Sequence, residues 1–178
     1  SDYGTNIVKG KYAGSGLGKL VRKVIRTRQF AMADFEPYAP SNNEPASFIA
    51  QPIIHGSRIE LIVALQLSIQ AIDKIMQQRA GMGRTGETYL VGKDKLMRSD
   101  SFLDPVNRSI NASFANPDKG SVDTEASREA LAGRTGEKII TDYNGNPVLS
   151  AYTPVRVRDV TWALIVEMDV AEAFESIH

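Results

Sequence analysis

Apolar positions recur along this chain with two periods. Leu17, Leu20, Val21, Val24 and Ile25 fall at helical spacing, with Lys19, Arg22, Lys23 and Arg26 between them. This predicts an amphipathic helix capped by Ser15 and preceded by a glycine-rich loop over residues 1–15. Three strands are then expected, at Phe30–Phe35, Ala46–Ile54 and Arg58–Leu67. The first two are separated by a proline- and asparagine-rich loop, the last two by the turn His55-Gly56-Ser57. Ser68 opens a second helix with Ile69, Ile72, Ile75 and Met76 on its apolar side. Further on, a helix is predicted from about Glu125 to Leu131. Strands follow at Lys138–Tyr143, Pro147–Val157 and Thr161–Met168, with a hairpin turn at Asn144-Gly145-Asn146. Asp169 then opens a closing helix, Val170–Ile177. Residues 102–123 show neither period and are expected to be irregular.

The stretch Gly86–Ser101, GETYLVGKDKLMRSDS, organises the second half. Glu87–Val91 has strand character and Gly92-Lys93-Asp94 has turn chemistry. Lys95–Ser101 alternates, which predicts a second strand with Leu96, Arg98 and Asp100 on one side and Met97, Ser99 and Ser101 on the other. Arg, Ser and Asp among hydrophobes suit the wall of a small-molecule pocket. They also suit an edge strand with a solvated Arg–Asp pair.

An internal duplication underlies this order. PASFIAQPI at Pro45–Ile53 matches PVLSAYTPV at Pro147–Val155 with both prolines in place. Each copy continues with a turn, an apolar strand and a helix, so two copies of one αβ unit are expected. The counterpart of Glu87–Ser101 in the first copy would precede residue 1, so that copy is expected to be truncated at its N-terminus. The predicted fold is α+β: two PAS-like modules, each an antiparallel sheet with flanking helices. The expected division is 1–80, the C-terminal part of the first module, and 81–178, the second.

Composition narrows the chemistry. The 178 residues carry no net charge, which argues against nucleic acid as the main partner. There is no cysteine, and the two histidines are His55 and His178. Thiolate chemistry and a histidine-rich metal site are thereby excluded, and neither histidine stands in a base-plus-nucleophile pattern. Gly14–Lys19, GSGLGK, fails as a phosphate loop, because Ala13 and Leu20 stand where Gly and a hydroxyl are needed. No catalytic residue, cofactor or metal is therefore expected. No apolar run reaches the roughly 18 residues of a membrane span.

YGTNIVKGKYAGSGL, ADFEPYAPSNNEPASFIAQPI, IDKIM and above all GRTGETYLVGKDKLMRSDS resemble the extracytoplasmic sensor region of bacterial methyl-accepting chemotaxis proteins, specifically the double Cache type. The similarity runs from about Tyr3 to Phe174. It implies a periplasmic ligand-binding domain of an inner-membrane receptor, held in the membrane by segments outside this chain and dimeric in the full receptor. Similar sensor regions also precede cyclase and kinase domains. A ligand-free dimerisation or spacer module is the other alternative. The implied ligand is a small molecule such as an amino acid, carboxylate or amine, held between sheet and lid. In the second module the candidate residues are Tyr89, Arg98, Ser99, Asp100 and Tyr152. Arg98 is expected to hold a carboxylate and Asp100 an amine. In the first module they are Asp34, Tyr38 and Gln51. The closing helix would carry the signal toward the membrane.

Overall fold

A computed structural model describes residues 4–175. The chain divides into two compact units, residues 1–68 with 157–160, and residues 69–156 with 161–178.

In the first unit, helix α1 (Gly16–Thr27) lies on an antiparallel sheet of order β1-β2-β3, made of Ala31–Pro37, Pro45–His55 and Arg58–Gln66. Ser15 caps α1 by accepting the Gly18 amide at 3.1 Å, leaving fewer orphan donors in the first turn. Arg28 ends the helix in the left-handed region, its N–H returning to Val24 O. Leu20 and Val24 of α1 pack with Ala31, Tyr38, Ala46, Phe48 and Ala50. Alternation along β2 turns Ala46, Phe48, Ala50 and Pro52 inward, and Gln51 and Ile53 outward.

In the second unit, the sheet order is β4-β7-β6-β5, from Glu87–Val91, Val160–Asp169, Pro147–Val157 and Gly136–Thr141. Helix α2 (Ile69–Met76) precedes β4, and α7 (Val170–Glu175) continues directly from β7. The expected end of the closing helix at Ile177, and His178, lie outside the described residues. Between β4 and β5 runs a lid of four short helices: α3 (Pro105–Arg108), α4 (Ile110–Ala115), α5 (Pro117–Gly120) and α6 (Glu125–Leu131). The element order α1-β1-β2-β3-α2 thus recurs as α6-β5-β6-β7-α7.

Three features differ from the expectation. Residues 102–123 are largely helical. Their helices are too short to show a period and are fixed by caps: Asp104 accepts from Asn107, Ser109 from Ala112, and Thr124 and Ser127 form a reciprocal pair. Lys95–Ser101 is not a strand. Only Met97 bridges to Val91, and residues from both expected faces are buried together. The segment folds under the lid instead, with Arg98 N bonded to Leu90 O, Met97 N to Ser113 Oγ and Ser101 N to Arg108 O. The compact units, finally, divide before Ile69 and not at 80/81. Asp73 of α2 accepts the Asp100 amide at 2.7 Å, and the Arg79 guanidinium lies 3.6 Å from the Phe102 ring centre while bonding to Gly83, Arg84 and Gly86 carbonyls.

Replacing Ser15 by Ala is expected to lower the stability of the first unit by about 1 kcal/mol in urea denaturation. An unchanged midpoint would contradict the cap.

Candidate functional site

In the second unit, antiparallel pairing sets Glu87 of β4 directly opposite Glu167 of β7. Tyr89 is opposite Ile165 on the same phase, and Val148, Ser150 and Tyr152 supply the buried phase of β6. Two carboxylates thus sit side by side in the interior, both almost completely buried. A buried charge is tolerated only where donors surround it. Glu87 has them. Its Oε2 accepts from Ser101 Oγ at 2.7 Å, Phe102 N at 3.0 Å and Leu103 N at 3.3 Å, and its Oε1 from the Tyr143 hydroxyl. This carboxylate fastens the first residues of the lid to the sheet.

Tyr143 extends the cluster. Its ring meets Tyr89 edge-on at 5.8 Å between centroids, and the Arg108 guanidinium lies 4.2 Å from its centre. This stack ties α3 to the β5–β6 turn, and Arg108 also pairs with Asp104, the N-cap of α3, at 2.5 Å. Burial, then the charge of Glu87, pushes the Tyr143 hydroxyl far above its ordinary range, so it remains a donor at any working pH.

Glu167 is placed differently. Its Oε2 accepts from the Tyr89 hydroxyl at 2.7 Å, but its Oε1 has no hydrogen-bond partner, and neither has the buried Ser150 Oγ. Burial pushes the carboxyl up to about 7, against the Tyr89 hydrogen bond and the Ser150 hydroxyl. Ser150 lies near enough to favour the charged form, although the two atoms do not reach hydrogen-bonding geometry.

At the edge of this cluster is an open cleft of about 570 Å³ between the lid and the β5–β6 turn. Arg108, Asp118, Asp123, Arg128, Asp142 and Tyr143 line it, so it presents both signs of charge. Asp123 is held by Lys95 at 2.5 Å and Arg128 at 3.1 Å, and the Lys95 hydrogen bond pulls its carboxyl below the usual range. Asp142 Oδ1 accepts the Asn144 and Asn146 amides, closing the hairpin turn. Arg108 Nε is buried without a partner. Among the described residues, no group of three or more His, Cys, Asp or Glu side chains could hold a metal ion.

The structure disperses the residues singled out from the sequence. Arg98 is 2% exposed, and its guanidinium folds into the turn ahead of it. There it bonds to Leu96 O at 3.1 Å and Asp94 at 2.9 Å. A Cβ on Gly92 would lie 2.2 Å from Arg98 Cζ, so the turn is glycine because the guanidinium occupies its side-chain space. Ser99 Oγ accepts the Leu90 amide at 2.9 Å, and Asp100 accepts the Ile110 amide at 2.7 Å. Arg98, Ser99 and Asp100 therefore shape the segment beneath the lid, and none of them lines the charged cleft. Tyr89 and Tyr152 do share the buried sheet face with Glu167 and Ser150. In the first unit, Tyr38 is core, edge-on to Phe48 at 4.9 Å. Asp34 sits half-buried at a bulge of β1, and Gln51 is exposed on the outer sheet face. These three do not converge.

Glu87, Glu167, Tyr143 and Arg108 were not anticipated. The available signal was phase: Glu87 and Glu167 lie two residues from Tyr89 and Ile165, which must face inward, and so share their face.

No family model matches the chain, and no curated protein is significantly similar to it. Solved structures do match. The periplasmic sensory domain of the Campylobacter jejuni chemoreceptor Tlp1 aligns with a TM-score of 0.61 at 15% identity, over 88% of this chain and 56% of that one. The ligand-binding domain of the Pseudomonas fluorescens chemoreceptor CtaA, in complex with L-isoleucine, aligns with a TM-score of 0.56 at 16% identity, over 88% and 59%. That of the Pseudomonas aeruginosa amino acid chemoreceptor PctB, in complex with L-Arg, gives 0.55 at 19%, over 88% and 56%. The fold is that of chemoreceptor ligand-binding domains, and the chain spans less than three fifths of the length of these structures.

Arg98→Ala is expected to cost about 2–4 kcal/mol of stability, through lost charge-assisted hydrogen bonds and an emptied turn. Chemical denaturation measures this. A variant of unchanged stability that loses only ligand affinity would return Arg98 to the role of ligand anchor.

Proposed function

We propose that this chain is the periplasmic ligand-sensing part of a transmembrane chemotaxis receptor, organised as two PAS-like modules and dimeric in the full receptor. It senses a small zwitterion of the amino acid class. The observation that carries this is the cleft of mixed charge between lid and sheet, in a fold shared with chemoreceptor ligand-binding domains. Arg108 and Arg128 suit a carboxylate, while Asp118 and the outer oxygen of Asp142 suit an amine. Isoleucine and arginine, bound by the CtaA and PctB domains, carry both groups.

Signal transmission follows from connectivity. A ligand held by α3, α5, α6 and the β5–β6 turn favours one position of the lid. The lid is fastened to β4 through Glu87, and β4 pairs with β7 along its whole length. From β7 the chain enters α7 without a break. Glu172 of α7 accepts from Arg84 N at 2.7 Å, Thr85 N at 2.7 Å and Thr85 Oγ1 at 2.5 Å. These bonds, that from Arg84 N first, hold its carboxyl down to about 2. Helix α7 is thus joined to both strands at one end of the β4–β7 pair. The ligand biases this assembly only by its differential affinity for the two lid positions. The output behind such a sensor is a chemotaxis signalling domain; a cyclase or kinase would use the same input.

A second reading has its own support. Tyr89, Met97, Ile110, Val122 and Ile165 are all fully buried in the second unit. A sealed interior suits a module that serves as spacer or dimerisation element.

A thermal-shift screen of amino acids, carboxylates and amines separates the two. At least one amino acid is expected to raise the melting temperature. Asp118→Ala or Arg128→Ala is expected to weaken its binding at least about tenfold in calorimetry, the loss of one charge-assisted contact. Stability should barely change, because both side chains are exposed. No shift with any class would contradict the sensor reading and favour the spacer.

A further inference from the structure

We propose that Glu167 is a proton-binding site that couples the surrounding pH to the attachment of the lid. With the proton bound, Glu167 donates from Oε1 to Ser150 Oγ. Without it, a second negative charge stands against Glu87, the carboxylate that fastens the lid.

The geometry supports this from three sides. First, the two carboxylates are cross-strand neighbours on one face of the sheet, and like charges in that position repel. Second, their donors are unequally shared. Four groups point hydrogens at Glu87, which suits an ionised carboxylate. One group points at Glu167. Third, Glu167 Oε1 and Ser150 Oγ are both buried without partners. The Ser150 hydroxyl can donate to the charged form or accept from the protonated one; a proton on Oε1, taken from bulk water, also removes the repulsion from Glu87.

The surroundings offer no compensating cation. Tyr89 and Glu87 face Glu167 from β4, Ser150 from β6, and Asp142 from the β5–β6 turn. The nearest guanidinium, Arg108 of α3, stacks on Tyr143 and pairs with Asp104. Lys138 of β5, opposite Ser150, pairs with Glu125 of α6 at 2.6 Å. Among the described residues, neither Glu87 nor Glu167 forms an ion pair. The carboxyl of Glu167 accordingly rises from 4.5 to about 7. Glu167 thus binds its proton more tightly folded than unfolded. The resulting stabilisation is complete below about pH 4.5 and is lost as pH rises through about 7. Loss of the proton sets a new charge against Glu87, whose bonds from Phe102 and Leu103 hold the start of the lid.

The test is a carbon-13 NMR titration of glutamate side-chain carboxyls, with backbone amides followed in parallel and no ligand added. One glutamate is expected to titrate near pH 7, and the Phe102 and Leu103 amides to shift with the same midpoint. Glu167→Gln, which holds a neutral donor in place, is expected to abolish both. Tyr89→Phe removes the donor that favours the charged form, so it is expected to move the midpoint upward and keep the fold if the amide variant does not. The proposal is overturned if no glutamate titrates above the ordinary range of about 4–5. It is equally overturned if a midpoint near 7 survives Glu167→Gln, or if the two lid amides do not follow it. Because no ligand is present, failure here is distinguishable from failure of the sensor reading.

Discussion

One buried carboxylate sets the arrangement of the second unit. Glu87 lies on the inward phase of β4, out of reach of water, so its charge has to be met by protein donors. Two of its four donors are consecutive backbone amides, Phe102 and Leu103. The chain can supply them only by ending the segment beneath the lid at Ser101 and turning there. The Tyr143 hydroxyl, from the opposite side, draws the β5–β6 turn against the same point. Lid and sheet are therefore joined by electrostatic necessity as well as by apolar packing. Removing Glu87 would release two separate pieces of chain, the start of the lid and the β5–β6 turn.

The mouth of the charged cleft follows from that attachment. Arg108 stacks on Tyr143, so the α3 end of the lid sits where the hairpin turn ends. The remaining lid helices have fewer than two turns each and no stability of their own. Their caps and the carboxylate anchor hold them, which is the construction expected of a part that moves on binding. The sheet and α7 are the opposite, continuous through hydrogen bonds from β4 to β7 and through the backbone from β7 to the helix. Short capped helices fastened to a continuous pair of strands are the construction that the proposed sensing role needs. The same fastening is where a proton on Glu167 would be felt.

Much of this framework is legible in the sequence. Period-2 alternation marks β1–β3 and β5–β7, helical spacing and Ser15 mark α1, and the duplicated proline-bounded segments become β2 and β6, of equal length. The site is legible only in part, because polar side chains at buried positions mimic exposed ones. Arg98 and Asp100 read as a ligand-facing pair, yet one fills the space above Gly92 and the other caps the Ile110 amide. Alternation over Lys95–Ser101 suggests a strand, but the polar residues of that stretch are satisfied by backbone groups and by the carboxylates of Glu87, Asp94 and Asp123. Glu87 and Glu167 pass for the solvent phase of their strands until pairing with Tyr89 and Ile165 fixes them inward. The lid helices α3, α4 and α5 leave no periodic trace, being shorter than the period needs, whereas α6 is legible from its cap.

The central claim is that a small ligand acts on the lid of the second unit. Hydrogen–deuterium exchange, with and without saturating amounts of whichever amino acid binds in solution, tests it directly. Slowed exchange is predicted across residues 101–128 and at the turn 142–146, extending to the β4–β7 pair. Protection confined to residues 5–66, with the lid unchanged, would contradict the account and move ligand recognition to the first unit.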